Sequence, residues 1–375
     1  VTDLDALLDD IRLLVECESP SADLDAVARS ADVVAGVGAA RMGVEPERIV
    51  LDGRTHLRWR LGSGPSRVLL LGHHDTVWPL GTLERRPYAV EGGVLRGPGC
   101  FDMLAGVAMA FAAAAGLDGV TVLVTGDEEL GSPSSRGLVE DEARLAEAVL
   151  VLEASADGGA LKTERKGVSL YDVRATGRAA HAGLEPERGV NASVELAHQV
   201  LAVARLGDAS AGTTVTPTAG RSGSTSNTVP AGGSFSVDVR VRTVAEQERV
   251  DRALRALAPV LPGAEVEVFG GPNRPPLEAT ASAALFALAQ AVADRLGLPA
   301  PSAASVGGAS DGNLTAGVGT PTLDGLGAVG GGAHAEDEHV LVDALPGRTA
   351  LLRGLLEELL AVRTNDLVAS GAVRP

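Results

Sequence analysis

Val68-Leu69-Leu70-Leu71-Gly72-His73-His74-Asp75 runs from an unbroken aliphatic stretch straight into imidazoles and a carboxylate. Four consecutive aliphatic side chains leave no polar face, so a strand made of them is buried on both sides, as in an α/β sheet covered by helices. Three further segments fit that plan: a helical pattern over 103–115 and apolar runs at 120–124 and 148–152. Short buried strands alternating with helices predict an α/β fold with a mixed, largely parallel sheet over residues 1–164. Polar residues gather directly after these strands, at the carboxyl ends where such sheets bind ligands.

From residue 168 the rhythm changes to strand (168–176), helix (190–206), strand (213–218), strand (234–241), helix (244–257) and strand (264–269). This is the βαββαβ order of a ferredoxin-like sandwich. Gly270-Gly271-Pro272-Asn273-Arg274-Pro275-Pro276 reads as a linker, and helix and strand alternation resumes up to a final helix at 345–362. A small domain, 165–272, is therefore expected inside a larger one made of 1–164 and 273–375. At the start of the chain, Thr2 is expected to cap an amphipathic helix with Leu4, Leu7, Leu8, Ile11, Leu14 and Val15 inward. Its interspersed Asp residues are unlike a signal peptide, and a cytoplasmic location is the expectation.

The 375 residues exceed the usual single-domain length of roughly 100–200. Thirty-two basic against 49 acidic side chains give a formal net charge of −17, a field that repels phosphate backbones and anionic lipid surfaces. Aromatic residues make up only 2%, too few for a base-stacking platform. Neither nucleic acid nor membrane is an expected partner, and no run reaches the roughly 20 apolar residues of a membrane span. Cys17 and Cys100 can form no disulfide framework and lack metal-ligand spacing. The only two lysines, Lys162 and Lys166, share one short stretch.

Five places carry chemistry. His73 and Asp75 alternate onto one face if the strand continues, which lets Asp75 orient a metal-bound imidazole from behind. Asp102 follows Gly97-Pro98-Gly99 at the expected start of a helix, where an N-cap is its ordinary role. Asp127-Glu128-Glu129 follows the 120–124 strand, and three adjacent acids beside a core strand repel one another unless a cation lies between them. Glu153 ends the 148–152 strand, and His334 follows the glycine-rich loop 325–332. Each alone is an ordinary solvated or capping residue. Together they form an oxygen- and nitrogen-rich set at one sheet edge, suited to zinc, cobalt or manganese. Two histidines and three carboxylates can hold two zinc ions roughly 3.5–4 Å apart, with one carboxylate bridging.

These motifs occur together with Ala180-His181-Ala182-Gly183, Gly189-Val190-Asn191-Ala192, Ser226-Asn227-Thr228-Val229-Pro230 and Asp238-Val239-Arg240. In this ordered set the chain resembles the zinc-dependent aminoacylase and carboxypeptidase metallopeptidase family, its glutamate carboxypeptidase branch above all. The resemblance implies that His73, Asp102, Glu129, Glu153 and His334 are the metal ligands, with Asp102 the bridge and Glu128 the general base. It implies a homodimer formed through the inserted domain, which also serves as a lid and sends His181 into the partner's site to stabilise an oxyanion. Asn227, Arg240 and Lys162 become the substrate contacts. At Leu104 the chain departs from relatives that commonly carry lysine two positions after the bridging aspartate. The function implied is a di-zinc hydrolase of N-acyl or peptidyl amino acids, short peptides included, with C-terminal glutamate favoured. An acetylornithine or succinyl-diaminopimelate deacylase is the neighbouring alternative, and a metal-free binding protein the non-enzyme one.

Overall fold

In the computed structural model, which describes residues 3–361, the opening aliphatic run is the strand Val68–His73, buried at all six positions. It pairs in parallel with Val120–Thr125 on one side and with Ala148–Val151 on the other, and Thr322–Leu323 adds a fourth parallel strand. The hairpin Glu47–Leu51 and Arg54–Leu61 extends the sheet antiparallel through its pairing with Val120–Thr125, giving a mixed sheet of six strands. The register pairs Val68 with Val120 and Ala148, and His73 with Thr125. The segments after His73, Thr125 and Val151 therefore leave the sheet at one edge.

Helices cover both faces of this sheet because its strands offer apolar side chains to both. Ala105–Ala114 is apolar all round and almost wholly buried. It lies so close to the sheet that a Cβ on Gly106 would sit 2.1 Å from the Leu152 carbonyl oxygen. Leu4–Val15, Leu24–Met42, Ala279–Leu296 and Leu345–Ala361 add further helical cover. The largest cluster joins Leu7, Ile11, Trp59, Leu70, Phe111 and Leu352, with Trp59 edge-on to Phe111 at 5.1 Å between ring centres.

Contacts divide the chain into two compact units: residues up to Arg165 together with those from Leu277 onward, and Lys166–Pro276. The second unit carries a four-stranded antiparallel sheet in the order Thr214–Ser222, Gly232–Val241, Gly167–Thr176, Glu265–Arg274. Helices Ala192–Ala204 and Val244–Arg255 complete the βαββαβ sequence. The alternation of Val173 and Ala175 (buried) with Arg174 and Thr176 (exposed) gives that sheet one core face, shared with Phe235, Val237, Leu196 and Leu254.

Three local expectations need correction. The stretch 270–274 is not linker, because Glu265–Arg274 continues through it as an edge strand, pairing Gly270 with Tyr171 and Gly271 with Leu170. The helix expected from residue 103 begins at Ala105, and Asp102 does not cap it: Leu104 holds the N-cap position, no side chain accepts from the first turn, and the Asp102 carboxylate faces His73 and His334 instead. The first helix is capped by Asp3, whose carboxylate accepts from the Ala6 amide at 3.1 Å, while Thr2 lies outside the described residues.

Candidate metal centre

His73 closes its strand as a fully buried side chain. Its Nδ1 is 2.9 Å from the carbonyl oxygen of Asp75, a contact that, if Nδ1 carries the proton, leaves Nε2 as the lone-pair nitrogen. Nε2 faces Asp102 Oδ1 at 3.5 Å and Glu153 Oε1 at 3.7 Å. Both His73 Nε2 and Asp102 Oδ1 are buried without a hydrogen-bond partner. Two facing acceptors that are left unsatisfied in this way fit a divalent cation between them.

On the other side of Asp102, its Oδ2 lies 3.2 Å from His334 Nε2, which is also 3.1 Å from Glu129 Oε1. His73, Asp102 and Glu129 can each offer a ligand atom within 4.8 Å of one another, and so can His73, Glu128 and Glu153. The structure thus gathers all five expected ligands, and Glu128 with them. Geometry alone does not divide the roles of Glu128 and Glu129.

The protonation of these groups reflects crowding. Burial and the Asp102 charge push Glu153 up to about 8 against the pull of Arg165 and Lys162, and burial takes Asp75 to about 7 despite His73. Hydrogen bonds that His334 donates to the Asp102 and Glu129 carboxylates lift its pKa to about 10. Burial disfavours charge on Asp102, but His334 and His73 outweigh it and hold the carboxyl well below its usual range. Repulsion of this kind among clustered carboxylates is what a bound cation relieves.

Asp75 does more than the alternation suggested. Its carboxylate accepts the backbone amides of Glu128 and Glu129 at 3.1 and 3.2 Å, and so pins the acidic turn as well as standing 3.6 Å from His73 Nδ1. Asp127 anchors the same turn from below by accepting from Ser134 and Ser135. His74 points away, into a buried contact with Ser30 and Thr55.

Behind Glu153 lies a buried ion network. Arg165 reaches Glu153 Oε2 at 3.1 Å and takes Asp324 with two nitrogens, at 2.7 and 3.2 Å. Lys162 Nζ is 3.9 Å from Glu153 Oε2, and burial together with Arg165 lowers its pKa. A cavity of about 580 Å³ is lined by Lys162 and Arg165 with Asp157, Ser302 and Ser305. Arg165, Asp324 and Glu338 escaped notice in the sequence. For Arg165 the available signal was its place beside the lone lysine pair.

In the second unit, the strand Ala180–His181 pairs with Thr228–Val229, and Ala182 donates to the Asn227 carbonyl at 2.9 Å, so His181 and Asn227 are neighbours. Arg240 is not with them. It pairs across the sheet with Val168, while Gly232, close after Asn227, pairs with Thr176. Eight residues of strand at ~3.3 Å each put these two ends about 26 Å apart. Arg240 is held by Asp238 at 2.8 and 2.9 Å.

Residues 69–358 match the model of the peptidase family M20/M25/M40. The chain belongs to that family. Carboxypeptidase G2 from Pseudomonas sp. (strain RS-16) is 33% identical over 295 residues, covering 74% of this chain and 70% of its own. The aminopeptidase PepT from Bacillus cereus superposes with a TM-score of 0.74 at 20% identity, over 96% of this chain and 99% of its own. Bacillus subtilis YxeP, described as a dinuclear metal-binding peptidase from the M20 family, gives 0.64 at 15% identity over 96% and 98%. As an M20 family member the protein is a metal-dependent hydrolase. The departure at position 104 is a buried leucine packed in the core. No helix among the described residues is long and apolar enough to cross a membrane.

Proposed function

We propose that this M20 hydrolase cleaves the amide bond of N-acyl or peptidyl amino acids at a two-metal centre, favouring a C-terminal glutamate. The observation that carries the two-metal reading is the pair of buried, unsatisfied atoms His73 Nε2 and Asp102 Oδ1 beside the His334–Glu129 pair. His73, Asp102 and Glu153 would hold one ion, and Glu129, His334 and Asp102 the other, with zinc the leading candidate and cobalt or manganese as substitutes. Two divalent cations held there acidify a water and polarise a carbonyl. Glu128 is the group that accepts a proton and then delivers it to the departing amine. Asp75 keeps the acidic turn and His73 in register.

Acidic specificity rests on Lys162, which lines the cavity beside Glu153, together with Arg240: two cations are more than one α-carboxylate needs. Carboxypeptidase G2 at 33% identity supports a carboxypeptidase reading, with cleavage next to a C-terminal residue. His181 supplies an N–H to the oxyanion, and Asn227 and Arg240 bind the substrate's carboxylate. Because Arg240 lies at the opposite end of its sheet from His181 and Asn227, one copy of the second unit cannot apply all three to one small substrate. A homodimer, formed by pairing an edge of each second-unit sheet, resolves this, with His181 and Asn227 serving the partner's site. The second unit thus acts as dimerisation element and lid, in a cytoplasmic enzyme.

A hydrolysis screen of N-acyl amino acids and dipeptides, varying the C-terminal residue first, tests the proposal. Glutamate and aspartate substrates are expected to lead in kcat/KM. Preference for acetylornithine or succinyl-diaminopimelate would replace the substrate assignment.

A further inference from the structure

Glu338 is fully buried and serves as a hub. Its Oε2 accepts from the Gly99 amide at 2.9 Å and Trp78 Nε1 at 2.8 Å, and its Oε1 from the amides of Phe101 and Asp102 at 3.0 and 3.2 Å. All four donors are neutral N–H groups. The loop wraps around the carboxylate because Gly99 is left-handed at φ 72°, where a Cβ would also meet Thr76 Cγ2 at 2.5 Å. Glu338 stands four residues beyond His334, in a tight turn closed by Ala335 to Gly332 and Glu338 to Ala335 hydrogen bonds. The strands Gly330–Gly331, His339–Leu341 and Val94–Arg96 align the two segments side by side. One carboxylate therefore fixes the distance between the two loops whose side chains, Asp102 and His334, meet at 3.2 Å.

We propose that Glu338 is the positioning residue that presets the Asp102–His334 spacing for metal uptake, and that Trp78 reports this state through its hydrogen bond. The proposal rests on the two-metal reading above. Groups that orient metal ligands from behind typically change affinity by about 10–100-fold. Trp78 is well placed as a reporter. It stacks against Arg86 at 4.3 Å, whereas Trp59, the only other tryptophan, is sealed in the core.

The test is titration of the metal-stripped full-length protein with zinc, following tryptophan emission and, in parallel, bound metal by equilibrium dialysis. In the wild type, emission is expected to change as the metal is taken up. Trp78→Phe should abolish the emission change while still taking up metal. Glu338→Gln should bind about 10–100-fold more weakly, because an amide offers one acceptor oxygen where the loop presents four donors. Wild-type protein that binds no metal overturns the two-metal reading itself. Two bound metals with unchanged affinity in Glu338→Gln overturns only the role of Glu338. If Glu338→Gln does not fold, a wild-type emission that ignores metal uptake overturns the proposal on its own.

Discussion

Most of the catalytic candidates in the large sheet are held by groups far away in sequence, whereas those of the second unit are held close to home. Asp75 takes the amides of residues 128 and 129, Asp102 meets His334, and Glu153 meets Arg165. His181, by contrast, accepts from Gly183 two residues on, and Arg240 pairs with Asp238 two residues back. Long-range bonds buried in the core preorganise a centre before substrate arrives. His181 is exposed and Arg240 partly so, and side chains with only such local bonds keep polar atoms for contacts outside their own unit. The metal-ligand candidates are thus placed in advance, and the proposed roles of the second unit's groups depend on contacts beyond their own sheet.

The strongest way to break this comparison is to strip the metals. Dialysis against a tight chelator should abolish hydrolysis, and zinc or cobalt should restore it; full turnover by protein shown metal-free by elemental analysis would remove the reason for the buried acid cluster. Next comes Glu128→Gln, expected to lower kcat by about 10²–10⁴ with metal content near wild type. Because Glu128 and Glu129 both lie among the ligand atoms, Glu129→Gln should instead lose metal, and the reverse pattern would exchange their roles. His181→Ala is expected to cost about 10²–10³. Co-expression with Glu128→Gln should restore up to about half of wild-type activity per mixed dimer, since one of its two sites then holds an intact Glu128 and an intact His181. Verified mixed dimers without recovery would return His181 to its own subunit.

Smaller effects sharpen the contrast further. Lys162→Ala should narrow the advantage of glutamate over leucine substrates in kcat/KM, and equal rates across side chains in the wild type would leave the cavity without a role in selection. Gly106→Ala forces a methyl group against the Leu152 carbonyl next to Glu153, and overpacking of this kind destabilises by about 1–3 kcal/mol. Urea denaturation should show that loss, and an unchanged midpoint would mean that the helix is free to retreat.

The parallel sheet and the βαββαβ unit were legible because their strands follow simple periods: unbroken aliphatic residues at 68–71, alternation at 168–176. The hairpin Glu47–Leu51 and Arg54–Leu61 was not, because its first strand is largely exposed and has no apolar alternation, although Leu57, Trp59 and Leu61 alternate with Arg58 and Arg60 in the second. The strand through 270–274 was hidden by Gly270, Gly271 and Pro272, which spell a linker locally but sit on a sheet edge where lost pairing is tolerated. The acids and imidazoles of the metal centre announced themselves by following core strands. Glu338 did not, because one acid in the run Glu336-Asp337-Glu338 resembles solvated surface, and only tertiary structure turns amides 99, 101 and 102 towards it. The separation of Arg240 from Asn227 also needed the sheet register, as a spacing of 13 positions reads as proximity on paper.

The division of the first unit into two chain segments has a consequence for biosynthesis. Its edge strand Thr322–Leu323, its helix Leu345–Ala361, His334 and Glu338 are all made after the contiguous Lys166–Pro276 unit is complete. About 180 residues separate Glu153 from His334, which at roughly 5–20 residues per second is about 10–40 s of translation. During that interval the second unit has its whole sequence and can fold on the ribosome. The first has its acids but neither its last ligand nor the carboxylate that sets the spacing. The set proposed for one ion, His73, Asp102 and Glu153, is thus synthesised early, whereas the set that needs His334 exists only once this late segment has been made.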